Sequence, residues 1–168
     1  MTSAVLDAGP LIHLAELDVL DALSNFDSLY VPDAVWDEVA THQPQILKAP
    51  GLPIERVSIS TLSPELQTLA QALALDRGEI QALGLLQDQP QCMFLTDDAA
   101  ARLAAEQLGY EVHGTIGLII RSVRRGARTP QIALAVLGSI PERSTLFINP
   151  NLLANILRKL ESEWTSPE

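Results

Sequence analysis

The chain has 168 residues, of which 47% are hydrophobic and 19% are charged, and its formal net charge is −10 at pH 7. This length and apolar fraction predict one globular domain with a packed core and argue against disorder. The apolar runs are short and interrupted by charges, so no membrane span and no signal peptide are expected. The acidic surface argues against general binding of phosphate backbones. A single cysteine, Cys92, excludes intramolecular disulfides and fits a reducing cytoplasm.

In chain order, short apolar runs alternate with amphipathic segments. The predicted strands lie near 2–6, 28–31, 54–59, 92–96 and 110–112. The first predicted helix runs through Leu14, and others cover 17–23, 34–40, 64–73, 99–108, 115–125, 130–138 and 150–163. A further helix opens with the segment 76–79 and continues through Leu86. The polar, proline-containing segment 42–53 is predicted to be a loop. This alternation predicts an α/β fold with a central, mostly parallel five-stranded sheet that carries helices on both faces.

Capping residues and glycines mark where several of these helices begin and end. Asp33, Ser63 and Thr115 are predicted to cap the helices that follow them. Gly109 and Gly126 are predicted to end the helices that precede them. We expect residues 1–168 to form one domain, with 127–168 as a C-terminal helical extension.

Acidic residues recur where predicted strands meet helices. Asp7, Asp97 and Asp98 directly follow strands, while Glu38 and Glu79 lie on helices that follow strand or loop segments. Ligands of parallel sheets bind beyond the carboxyl ends of the strands, so the topology could bring these acids together. Clustered carboxylates repel one another unless a proton or a cation intervenes. Oxygen ligands without a His or Cys cluster suit Mg²⁺ or Mn²⁺, which can activate water for attack on a phosphodiester.

Each acid also has a purely structural interpretation. Asp7 could serve as a cap or turn residue, and Glu38 could be a solvated helix residue. Glu79 in a first helical turn is favourable to the helix dipole without any function. One of Asp97 and Asp98 is expected to cap the helix that follows them.

Other chemistries have weaker support. The three histidines show no zinc-ligand spacing, and the chain lacks both a phosphate-binding loop and a nucleophile elbow. Trp36 and Trp164 are interpreted as packing residues. One run of basic residues comprises Arg121, Arg124, Arg125 and Arg128. It is interpreted either as a solvated face or as a surface that contacts phosphates or an antitoxin.

The order of these acidic residues along the chain is similar to that in a known protein family. The segments VLDAGPLIHL, VPDAVWDEV, LDRGEIQALGLL and FLTDDAAARLAAEQLGYEVHGTIGLIIRSVRRG resemble the PIN-domain family. More narrowly, they are similar to its prokaryotic subgroup of predicted nucleic-acid-binding proteins. The resemblance runs from Val5 through the C-terminal segment STLFINPNLLANILRKL, and TDDAAAR and GTIGLI are its most specific parts.

This resemblance implies a three-layer α/β/α sandwich with a metal-dependent ribonuclease site. Asp7 matches the family's first acid, Glu38 its second and Glu79 its third. The fourth acid follows the strand that ends at Leu95 and Thr96. The family's spacing of Thr, any residue, Asp favours Asp98, but Asp97 also offers a carboxylate, so both stay candidates.

The resemblance further implies a Mg²⁺- or Mn²⁺-dependent endoribonuclease, the toxin of a toxin–antitoxin pair. Asp7, Glu79 and Asp98 or Asp97 would hold the metal, and Glu38 would bind a second ion or orient the water. We expect an RNA substrate, an antitoxin partner, a homo-oligomer and a cytoplasmic location without membrane contact. One alternative is a PIN-like module that binds RNA or protein without cutting, which the acidic surface favours. A phosphatase with Asp7 as nucleophile ranks lower, because DAGPL lacks the D-x-D spacing.

Overall fold

Five parallel strands form one sheet in the computed structural model, which describes residues 2–165. In chain order the strands are β1 (Ser3–Leu6), β2 (Ser28–Pro32), β3 (Ile54–Val57), β4 (Met93–Leu95) and β5 (Val112–His113). Their order across the sheet is β3-β2-β1-β4-β5, and every neighbouring pair is parallel. The carboxyl ends of all five strands therefore lie at one edge, with β1 in the centre.

Helices connect the strands and cover both faces of the sheet. They are α1 (Ala8–Glu16), α2 (Asp33–His42), α3 (Pro64–Ala72), α4 (Arg77–Asp88), α5 (Ala99–Gln107), α6 (Thr115–Arg124), α7 (Pro130–Gly138), α8 (Ile140–Arg143) and α9 (Pro150–Thr165). Two short 3₁₀ helices span Leu20–Leu23 and Pro44–Lys48. No helix among the described residues is long and apolar enough to cross a membrane.

The sheet separates two hydrophobic cores. Ala4 and Leu6 of β1 are buried on one face with side chains of α1, α2, α6 and α7, whereas Val5 is buried on the other with α3, α4 and α5. This alternation follows from the strand geometry, in which successive side chains point to opposite faces. The predicted three-layer α/β/α sandwich is confirmed. Cys92 is buried in the second core, and Trp36 packs against the first, as the sequence predicts.

The C-terminal helices belong to the first core. Ala133 and Leu137 of α7 and Leu160 of α9 are buried in the same cluster as Leu11 of α1. The segment expected to form a helical extension, 127–168, thus contributes buried side chains to the main core. Its last three residues lie outside the described part of the chain.

The structure corrects several local predictions. The segment 42–53 is not only a loop, because it contains the 3₁₀ helix that buries Ile46. Asp33 and Thr115 are not N-caps: both are the first residues of their helices, after Pro32 and Gly114. Their side chains bind elsewhere, Asp33 to Arg56 and Ser58, and Thr115 to Asp97.

Candidate active site

Asp7 lies at the carboxyl edge of the sheet, immediately after the central strand β1. Its backbone N–H donates to the carbonyl of Leu95 at 2.9 Å, which continues the pairing of β1 with β4. Its side chain caps α1, because Oδ1 accepts the backbone N–H of Ala8 at 2.9 Å. The interpretation of Asp7 as a helix cap is therefore correct. This cap uses only one of its two carboxylate oxygens.

The other oxygen of Asp7 is held by Thr96, which follows β4. The buried hydroxyl of Thr96 donates to Oδ2 of Asp7 at 2.9 Å and accepts the backbone N–H of Asp98 at 3.1 Å. Asp98 in turn caps α5 through Oδ2, which accepts the N–H of Ala101 at 2.8 Å. Within the described residues, Oδ1 of Asp98 has no hydrogen-bond donor, so this oxygen is available to a ligand.

A third part of the site is the first turn of α4. Asp76 and Glu79 form a capping box in which each side chain accepts the other's backbone N–H, at 2.8 and 2.9 Å. A Cβ placed on Gly78 would lie 3.5 Å from Oδ1 of Asp76 and 3.9 Å from Oδ1 of Asp7. These two oxygens are therefore no more than about 7.4 Å apart. The first turn of α4 thus lies beside Asp7.

Burial and neighbouring charges strongly perturb Asp7. Its side chain is only 8% exposed, and burial raises its pKa to about 6. The hydrogen bonds from Thr96 and Ala8 act in the opposite direction, while the charges of Asp76 and Glu38 raise the pKa further. A carboxylate in this setting is ionised at neutral pH only at a cost in free energy. A bound cation would remove that cost.

Glu79 is perturbed in the same way. It is 9% exposed, and burial raises its pKa to about 7. The hydrogen bond from the backbone of Asp76 lowers the pKa, and the charges of Asp76, Asp98 and Asp7 raise it. Carboxylates at the ends of β1 and β4 therefore act on Glu79 at the start of α4.

Glu38 lies at the rim of this group. It is exposed on α2, and its charge contributes to the raised pKa of Asp7. The structure thus places Glu38 on the side of the sheet edge that Asp7 occupies, but in contact with solvent. Its position is that of a residue that could meet a ligand entering from outside.

Asp97 is engaged differently from Asp98. Its Oδ1 accepts the backbone N–H of Thr115 at 2.7 Å, and its Oδ2 accepts the Thr115 hydroxyl and lies 2.7 Å from Nδ1 of His13. Burial raises the pKa of Asp97, but the hydrogen bonds from His13 and Thr115 outweigh it, so the net pKa is lowered. Both oxygens are occupied in tying α1 and α6 to the end of β4. Of the two neighbouring acids, Asp98 has the freer carboxylate.

Asp76 is the residue of this group that sequence reasoning missed. In the sequence it belongs to the segment Asp76-Arg77-Gly78-Glu79, whose spacing is typical of a capping box. The structure contains this capping box, and the Asp76 side chain has a second property. Its charge raises the pKa of both Asp7 and Glu79, so Asp76 is also part of the electrostatics of the site.

The donor set fits a hard divalent cation. It consists of carboxylate oxygens, two of them on buried side chains that favour protonation when no cation is present. In the described range 2–165, no three His, Cys, Asp or Glu side chains are arranged so that they could already hold a metal ion. Binding would therefore require side-chain movement, for which the exposed Glu38 and the free oxygen of Asp98 offer room.

Comparison with known proteins agrees with the fold. Residues 3–162 match the family model DUF3368, a PIN domain. Among solved structures, the chain is similar to a PilT N-terminus domain protein, SSO1118, from the hyperthermophilic archaeon Sulfolobus solfataricus P2. The two share 13% identity with a TM-score of 0.52, over 73% of this chain and 94% of that chain. At this identity the likeness shows the fold alone. No curated protein matches the sequence.

Proposed function

Because this chain belongs to the PIN-domain family, whose members are generally nucleases, we propose that it is a Mg²⁺- or Mn²⁺-dependent endoribonuclease. The observation that carries the proposal is that two buried carboxylates at the carboxyl edge of the sheet, Asp7 and Glu79, have a raised pKa, and that the charges of Asp7 and Asp98 both act on Glu79. Buried carboxylates that repel one another are poorly suited to a purely structural role. They are well suited to a cation.

The proposed roles follow from the position of each side chain. Asp7, Glu79 and Asp98 would hold the divalent ion, which when bound lowers the pKa of water and neutralises charge on a phosphate. Thr96 keeps Asp7 and Asp98 in fixed relation through its two hydrogen bonds. The exposed Glu38 would orient the attacking water or help to bind a second ion. Asp97 has a positioning role, because both of its oxygens are already used within the protein.

A cleavage assay with a pool of mixed RNA sequences tests this proposal. The purified protein should cut the pool with Mg²⁺ or Mn²⁺, and addition of EDTA should stop the reaction. Internal cleavage sites rather than trimming from the ends would establish an endonuclease. The Asp98→Asn variant, purified in parallel, excludes a contaminating nuclease if its activity is lost. Cleavage that persists in EDTA, or that is equal in the variant, would contradict the proposed site.

A non-cleaving binding module is the second candidate. It is favoured by the net charge of −10, which disfavours a long polyanionic substrate. It is also compatible with the capping box, in which Glu79 already has a structural role. Binding of RNA or of a protein by both the wild type and Asp98→Asn, with no cleavage by either, would support this candidate.

The proposal includes a biological role as the toxin of a toxin–antitoxin pair, acting on RNA in the cytoplasm. Support for it comes from the family resemblance. Expression in a bacterial host should arrest growth, and Asp98→Asn should abolish the arrest. Co-expression of a small protein encoded beside the gene should restore growth if that protein is the antitoxin. Growth at the normal rate, with the protein present and folded, would contradict the toxin role.

A homo-oligomer is the remaining part of the proposal. Phe147 is 89% exposed and Leu152 is 53% exposed, so the C-terminal segment presents large apolar side chains to solvent. Such side chains are common where proteins associate. Light scattering coupled to gel filtration should show more than one chain per particle. Phe147→Ser should shift the particle toward a monomer.

A further inference from the structure

A second cleft, of about 880 Å³, runs from the starts of β1 and β4, at Ser3 and Met93, to His113 at the end of β5. Helix α6 forms another part of its wall. Ser3 and Asp7 are four residues apart on an extended strand, so this end of the cleft lies about 13 Å from Asp7 along β1. None of the acids of the candidate active site lines the cleft.

Arg121 of α6 is a half-buried residue that lines this cleft. Its guanidinium group lies over the ring of Phe26, 4.4 Å from the centroid. Its Nη1 and Nη2 atoms are buried without a hydrogen-bond partner, and no other buried side-chain nitrogen or oxygen in residues 2–165 shares this condition. A buried polar group without a partner is strongly unfavourable. An anion bound nearby would compensate both the charge and, after a small rotation, the missing hydrogen bonds.

Two further arginines extend this positive charge to the surface. Arg124 and Arg125 line the cleft, are exposed, and form no ion pair with any described carboxylate. Arg128, by contrast, is paired with Asp21 at 2.7 Å. Cations in a last turn also stabilise a helix, which accounts for Arg124 in part. The helix dipole does not account for the unpartnered nitrogen atoms of Arg121.

We propose that this cleft binds a nucleotide-sized ligand that carries one or two phosphate groups. Guanidinium groups bind phosphate through paired N–H donors, and three arginines line this cleft. The side chains of Met93, Tyr110 and Ile120 also line it and offer an apolar surface to the organic part of such a ligand. This site is independent of the proposed nuclease activity.

The size and charge of the protein favour a small ligand over a long polymer. The net charge of −10 repels polyanions, and this repulsion grows with each phosphate that a strand brings near the surface. A ligand with one or two phosphates meets three arginines and one acidic residue, Glu111, in the lining of the cleft, which leaves the local charge positive. An acidic peptide would leave the apolar wall unused unless it also carried apolar side chains. The cleft of about 880 Å³ can enclose a nucleotide.

Calorimetry on the full-length protein in EDTA tests the proposal without any dependence on catalysis. The probes are adenosine 5′-monophosphate, adenosine, inorganic phosphate, a hexauridylate and a hexaglutamate peptide. The variants are Arg121→Gln and the double variant Arg124→Gln/Arg125→Gln. The control is Arg143→Gln/Arg158→Gln, which removes two exposed arginines elsewhere and matches the double variant in charge. Circular dichroism establishes that each variant is folded.

We expect adenosine 5′-monophosphate to bind with a dissociation constant below about 1 mM, and adenosine to bind far more weakly. Both cleft variants should weaken this binding by at least about tenfold, whereas the control should change it by less than about twofold. Equal affinity in all variants would overturn the proposal. So would binding of the hexaglutamate or the hexauridylate alone. Since Arg121→Gln replaces a buried residue, the exposed double variant decides the question if Arg121→Gln does not fold.

Discussion

The buried hydroxyl of Thr96 donates a hydrogen bond of 2.9 Å to Oδ2 of Asp7 and so joins the ends of two neighbouring strands. The hydroxyl oxygen of Thr96 also accepts the backbone N–H of Asp98, which fixes the two acids relative to each other. The bond also opposes the effect of burial on the pKa of Asp7. Thr96 therefore stabilises the ionised carboxylate that a cation would need, although it carries no charge itself.

Replacement of Thr96 by valine tests this role. The Thr96→Val variant keeps the approximate shape of the side chain but leaves Asp7 and the N–H of Asp98 without a buried partner. We expect unfolding free energy to fall by roughly 1–3 kcal/mol in urea titrations. RNA cleavage should fall by about 10- to 100-fold, because a residue that orients a metal ligand is lost.

The control for this experiment is Thr41→Val. The hydroxyl of Thr41 donates to a backbone carbonyl on the exposed side of α2 and contacts none of the acids. Its replacement should leave cleavage unchanged. If Thr96→Val loses stability but cleaves at the wild-type rate, Thr96 is a structural residue and its contact with Asp7 is irrelevant to the reaction.

Asp7 itself should be more important for activity than for folding. Asp7→Asn retains a side-chain oxygen that can cap α1 but removes a buried charge that is repelled by its neighbours. We expect the metal-free variant to be as stable as the wild type or more stable at pH 8, as measured by urea unfolding in EDTA. RNA cleavage should fall by at least about 100-fold.

Asp37→Asn is the matched control, since Asp37 is exposed beside Glu38 and its ion pair with Arg56 is a surface contact of 3.5 Å. It should change neither stability nor cleavage appreciably. A large loss of stability in metal-free Asp7→Asn would show instead that the negative charge of the cap is what α1 requires.

The fold was largely predictable because its signals are local. Short apolar runs marked the five strands, and their alternation with amphipathic helices indicated parallel pairing. The capping details were harder, because the side chains concerned bind residues distant in sequence. Threonine is a common N-cap residue, yet the hydroxyl of Thr115 donates a hydrogen bond to Asp97, eighteen positions earlier. Asp33 likewise binds Arg56 of the neighbouring strand.

The candidate site was predictable only where the order of the acids resembles the family. That order indicated Asp7, Glu38 and Glu79 but could not separate Asp97 from Asp98. The difference between those two depends on His13, which lies 84 residues away in sequence and contacts Asp97. Asp76 was missed because it follows no predicted strand and matches none of the family's four acids. Its effect on Asp7 arises only when α4 packs against the sheet edge.

The raised pKa values predict how the stability of the metal-free protein depends on pH. The pKa of Asp7 is raised from 3.8 to about 6 and that of Glu79 from 4.5 to about 7. The folded state thus holds these protons more tightly than the unfolded state. Their contribution to stability is complete below about pH 4 and is lost as pH rises through 6 and 7. For Asp7 the loss is roughly 3 kcal/mol, and the titration of Glu79 is coupled to that of Asp7.

Urea unfolding between about pH 5 and pH 8 in EDTA should therefore show falling stability. Saturating Mg²⁺ should flatten the curve, because the cation stabilises the ionised carboxylates. Asp7→Asn should also flatten it in EDTA. The lowered pKa of Asp97 acts in a different window, since its contribution is lost only as pH falls below its ordinary value near 4. Stability that rises with pH over the measured range would contradict the assigned shifts.

The neighbours Asp97 and Asp98 should respond oppositely to the same substitution. In Asp97→Asn an amide replaces a carboxylate that accepts bonds from Thr115 and faces His13. One carboxylate oxygen becomes an NH₂ group, which cannot accept, so at least one of these contacts is lost. We expect the free energy of unfolding to fall by roughly 1–3 kcal/mol. Residual cleavage by the folded fraction should stay within about tenfold of the wild type.

Asp98→Asn keeps an oxygen that can cap α5 and removes one of the charges that raise the pKa of Glu79. Its stability should therefore change by less than about 1 kcal/mol, while cleavage falls by at least about 100-fold. The apparent affinity for Mn²⁺, measured by calorimetry, should fall in Asp98→Asn and hold in Asp97→Asn. The reverse pattern, with Mn²⁺ affinity lost only in Asp97→Asn, would assign the fourth acid to Asp97. In that case the hydrogen bonds of Asp97 with His13 and Thr115 would have to break when the metal binds.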